Sequence, residues 1–133
     1  VSNISNKKII INGNLFSNLD GFYDEISEKL MSDQGWKVGT LDGLDDILYG
    51  GFGVFENNEK LEIAWKNSKK SQKDLGLKTT LDFLDHKLKI GKPYNVELIK
   101  KQKEDLLHEN GKTLFEIILE IFESHPNISL KLV

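Results

Sequence analysis

The chain has 133 residues with 18 lysines, no arginine, 21 acids and three histidines, giving a formal net charge of −3. That length supports one hydrophobic core and is short for two, so a single domain over residues 1–133 is expected. The lack of cysteine excludes disulfides, thiolate nucleophiles and Cys-based zinc sites, the lack of arginine weakens any reading built on rigid bidentate grips on phosphate or carboxylate, and the acidic balance argues against direct nucleic-acid binding.

Taken in chain order, the first element is a short β-branched run, Lys8 to Asn12, stopped by Gly13. Ser17 with Asp20 three positions on has the form of a capping box, followed by a helix to about Met31 with Phe22, Ile26 and Leu30 in one stripe. Ser32 to Gly39 reads as a loop that carries Trp36. Thr40 then caps a short helix through Leu48, with Leu41, Leu44 and Leu48 on one side and Asp42, Asp45 and Asp46 on the other. Gly50, Gly51 and Gly53 end it in a turn, with Phe52 beneath, and Leu61 to Trp65 forms a second strand that brings Trp65 into the core.

Residues 57–112 are lysine-rich, with thirteen lysines against nine acids. A capping signature at Thr79 and Asp82 and a stripe of Leu81, Leu84 and Leu88 predict a helix there. Pro93 and Tyr94 fall in a connection, and Glu97 to Glu109 follows as a polar helix. Thr113 and Glu116 form a second capping box before the apolar face Leu114, Ile117, Ile118 and Ile121, widened by Phe115 and Phe122. Pro126 stops that helix, and Ile128 to Val133 reads as the last strand. The order predicts an α/β fold: a small three-stranded parallel sheet covered by helices, with right-handed crossovers.

Charge is distributed unevenly. Residues 15–56 hold nine acids and two lysines, a local net charge of −7. Like charges this close repel, so the cluster needs a metal, a cationic partner or open solvent. The aspartates lack the alternating ligand pattern of a calcium loop, so no metal or other cofactor is expected. His86, His108 and His125 stand in separate segments as surface or helix-end residues, and GGFG fits neither a dinucleotide nor a phosphate loop. No nucleophile elbow occurs, so no catalytic residue is assigned and the chain is not expected to be an enzyme. With no apolar run of membrane-spanning length and no signal-peptide pattern at VSNISNKKIIING, a cytoplasmic location without a membrane partner is expected.

The ordered set KKIIING, FYDEISEKL, TLDGLDDILYG, LEIAW, ENGKTLFEIILEIFE and ISLKLV resembles the barstar family, intracellular inhibitors of secreted ribonucleases. The resemblance covers most of residues 7–65 and 109–133, and leaves about 68–107 as an inserted or extended helical segment. It implies a barstar-like fold, no cofactor, and a partner that is a basic ribonuclease or nuclease toxin. It also implies a partner-binding surface made of Trp36, Gly39, Thr40, Asp42, Asp45, Asp46 and Glu120, with Asp46 standing in for substrate phosphate and Glu120 at the periphery. Asp45 departs from the pattern, since the family has an aromatic residue there in its best-known form. Two alternatives stay open: an interaction module with a non-nuclease partner, and a divalent-metal-dependent enzyme.

Overall fold

The computed structural model describes residues 6–31, 37–49 and 59–133. Three strands, β1 (Asn6–Asn12), β2 (Lys60–Lys66) and β3 (Ile128–Leu132), form one parallel sheet in the order β1-β2-β3. Six α-helices lie among the described residues: α1 (Leu19–Met31), α2 (Leu41–Ile47), α3 (Ser68–Asp74), α4 (Leu77–Ile90), α5 (Val96–Leu107) and α6 (Leu114–Glu123). The expected small α/β fold with a three-stranded parallel sheet is therefore present.

Register sorts the strand residues onto two faces. Ile9, Ile63 and Leu130 align across the sheet, as do Ile11, Trp65 and Leu132, and the first four of these six are packed in or against the core together with Trp65. The intervening row, Lys8, Glu62 and Ser129, is exposed. Parallel strands are usually covered on both faces and read as continuous apolar runs. Here β2 alternates strictly in burial, so one face is covered and the other meets solvent.

Trp65 is fully buried at the centre of an aromatic cluster. Its ring stacks on Phe22 at 5.3 Å between centroids and meets the rings of Phe115 and Phe122 edge-on. Its indole N–H donates to Ser71 Oγ at 2.9 Å, which satisfies the one polar atom such a residue carries into a core. At the end of β1, Gly13 sits so close to the β2–α3 connection that a Cβ would lie 2.5 Å from the Lys66 carbonyl oxygen. Only glycine fits that approach.

Two of the four expected helix starts stand, and two are corrected. Thr40 Oγ1 accepts from the Gly43 amide, and Thr113 with Glu116 makes the full reciprocal box. Ser17 does not cap α1: Asn18 Oδ1 accepts from the Gly21 amide at 2.8 Å, while Ser17 Oγ is held by Lys70 Nζ. Thr79 does not cap α4, which begins at Leu77 after Gly76; its hydroxyl donates to the Asp74 carbonyl instead. In both cases a partner outside the tetrapeptide takes the side chain that a box would use.

The lysine-rich segment divides into two parts. Helix α3 belongs to the main body, since Ser71 is fully buried against Trp65 and Lys70 Nζ donates to the carbonyls of Gly13 and Phe16. Helices α4 and α5 form a hairpin with a small apolar cluster of their own, Leu84, Ile99 and Leu106.

Candidate functional site

Helix α2 is seven residues long, too short to be stable by its own hydrogen bonds, so packing must hold it. Leu44, Ile47 and Leu48 are buried in the main core, and that leaves the opposite face outward. The entry to the helix is anchored separately. The Val38 amide donates to the buried Ser27 Oγ of α1 at 2.8 Å, and Thr40 Oγ1 accepts from Gly43 N at 2.9 Å. Gly39 and Thr40, both exposed, are thereby fixed at the loop-to-helix junction, with open space around Gly39. Trp36 lies outside the described residues, as do Gly50, Gly51, Phe52 and Gly53.

The predicted acids do not form a uniform surface. Asp42 and Asp46 are exposed, and among the described residues no cation pairs with either. Asp42 stands in the first turn of α2, where the unpaired amide N–H groups favour negative charge. Its field also reaches the buried Tyr23 of α1, whose phenol is pushed up to about 12 by burial first and then by Asp20 and Asp42. Glu120, on α6, is engaged by Lys112 Nζ at 2.5 Å, with both side chains more than half exposed. A solvated pair of this kind contributes little and exchanges readily for another cation.

Asp45 is bound differently. Its Oδ1 lies 2.6 Å from Nε2 of His125, a residue 80 positions away and 3% exposed. Tyr49 closes over the imidazole edge-on, with ring centroids 4.6 Å apart. His86 and His108 are exposed as expected, whereas His125 is a helix-end residue that turns inward. Its neighbours in sequence, Ser124 and Pro126, give no sign of this, because the partner is contributed by a remote helix. Asp45 thus has an internal counterpart, which relieves the crowding of three carboxylates on one short helix.

Beside Leu41, at the start of α2, a groove of about 460 Å³ opens between α2, α4, α5 and α6. Phe83, Leu84 and Ile117 supply its apolar walls, and Lys87, Asp105 and Lys112 stand among its polar lining. Among the described residues no cluster of His, Asp or Glu side chains has the makings of a metal site. No described helix is long and apolar enough to cross a membrane.

Comparisons with family models, with curated proteins and with solved structures return no match for this chain.

Proposed function

We propose that this protein is a barstar-like inhibitor that occupies the cationic active site of a ribonuclease or nuclease toxin. One observation carries the reading: α2 holds two exposed carboxylates, Asp42 and Asp46, with no cation paired to them among the described residues, on a helix whose other side is locked into the core. Nucleases gather cations to hold phosphate, and fixed carboxylates present the complementary charge with no bond to cleave. Such complementarity speeds encounter and selects the partner. The order of elements and the ordered sequence resemblance support the same reading.

Charge alone rarely holds a complex; tight interfaces centre on a desolvated apolar anchor. The groove next to Leu41 offers such a place within reach of a protein lying along α2. Inhibition on this reading has no chemical step: the partner's substrate is excluded while the two proteins remain together. Titrating a basic ribonuclease with the purified chain should abolish RNA cleavage at equimolar amounts, and undiminished cleavage by every basic ribonuclease tried would count against it.

A second reading, docking to a cationic protein that is not a nuclease, is favoured by the internal engagement of Asp45 and Glu120. Two of the four expected acids are already paired, so the free edge is narrower than a phosphate mimic built on all four. Recovery of a non-nuclease on the immobilised chain, lost on charge reversal at Asp46, would select this reading.

A further inference from the structure

We propose that His125 is a positioning residue for the acidic helix: it fixes the orientation of α2 through Asp45 while staying out of reach of any partner. Its functional meaning rests on the docking role of Asp42 and Asp46, but the geometry behind it does not. Three observations converge. First, α2 is a single short helix whose entry is tied to α1 through Val38 and capped by Thr40, whereas its second half carries one described side-chain bond to the rest of the protein, Asp45 to His125. Second, the imidazole is buried, and its backbone is fixed in the turn between α6 and β3: the His125 amide donates to the Phe122 carbonyl, and the His125 carbonyl accepts from the Ile128 amide. Third, Tyr49, two residues beyond the end of α2, packs on the same ring and covers it.

A carboxylate can only accept a hydrogen bond, so Nε2 carries the proton shared with Asp45 Oδ1. The bond therefore runs from the sheet side of the molecule outward to the docking helix. Apolar contact through Leu44, Ile47 and Leu48 holds α2 down, yet such contact is non-directional. Packing decides which face of α2 looks outward; a directional bond from a buried donor narrows the rotation that remains about the helix axis, and with it where Asp42 and Asp46 point. This also gives Asp45 a role that surface exposure alone would not suggest.

Amide hydrogen exchange on the free protein tests this without a partner. His125→Phe keeps a ring in the site and removes the donor, whereas His125→Gln keeps an N–H at nearly the same place. Asp45→Ala removes the acceptor from a half-exposed position, and because alanine is the better helix former, any loosening of α2 cannot be blamed on propensity. We expect amides of Leu44 to Leu48 to exchange roughly tenfold or more faster in His125→Phe and Asp45→Ala, with Leu30, Ile63 and Ile118 unchanged. The double variant should be no faster than either single one, and His125→Gln should stay close to wild type. Equal acceleration in the Phe and Gln variants, an increase spread over the whole core, or wild-type exchange in Asp45→Ala would overturn the proposal. If exchange behaves as expected and no nuclease is inhibited, the positioning role stands and the docking role falls.

Discussion

At the scale of single residues the acids of the proposed docking edge separate by what already holds them. Among the described residues no cation pairs with Asp42 or Asp46, Glu120 is in a solvated pair with Lys112, and Asp45 is committed to a buried histidine. Replacing Asp46 with alanine should accelerate dissociation from the target by roughly tenfold or more, as truncation at a central contact does, while Asp85→Ala, on α4, changes it little. Surface plasmon resonance on the two variants measures the difference. Tyr23 makes a prediction that needs no partner. Its phenol ionises near its ordinary value of 10.0 when unfolded and near 12 when folded, so the native state binds more protons in that window. Stability is intact below pH 10.0 and falls between pH 10.0 and about 12, by up to roughly 2–3 kcal/mol from this group. Urea unfolding of Tyr23→Phe should lose that alkaline decline relative to wild type. The inward turn of His125 was beyond sequence reasoning, because nothing near residue 125 records that its partner is residue 45.

At the scale of elements, local chemistry was legible where the side chains bond locally. Thr40 and Thr113 cap as expected, and among the described residues no remote group competes for their hydroxyls. Ser17 and Thr79 show the same spacing, yet Lys70 and the Asp74 carbonyl take them. Helix α3 has no apolar stripe to announce it, because it is held by buried serines and by the hydrogen bonds of a half-buried lysine rather than by an apolar face. Thr40→Ala should cost about 1 kcal/mol, the usual value of a lost N-cap, and should weaken target binding by freeing the first turn that carries Asp42. Chemical denaturation and binding measured on the same variant separate the two effects. The α4–α5 hairpin, closed by Leu84, Ile99 and Leu106, should loosen on its own: Leu84→Ala is expected to raise amide exchange in α4 and α5 while β2 keeps its protection.

At the scale of the whole molecule, the sheet is covered on one face and open on the other. The main core gathers on one face of the sheet around Trp65, so Trp65→Ala should destabilise the protein by about 3–5 kcal/mol in far-UV circular dichroism unfolding curves. The same asymmetry is partly legible in the sequence, since LEIAW puts large apolar residues at every second position with Glu62 and the small Ala64 between them. What charge complementarity contributes should show in kinetics: association with a cationic target slows as salt rises, whereas dissociation changes less. The most direct test of the central claim is capture on the immobilised chain from the native host's extract and secreted proteins, run beside an Asp42→Asn, Asp46→Asn double variant. The account predicts that the wild type retains a basic protein that cleaves RNA when alone and not when bound, and that the double variant loses it. Capture of a protein without nuclease activity, or capture undiminished by the double variant, would contradict it.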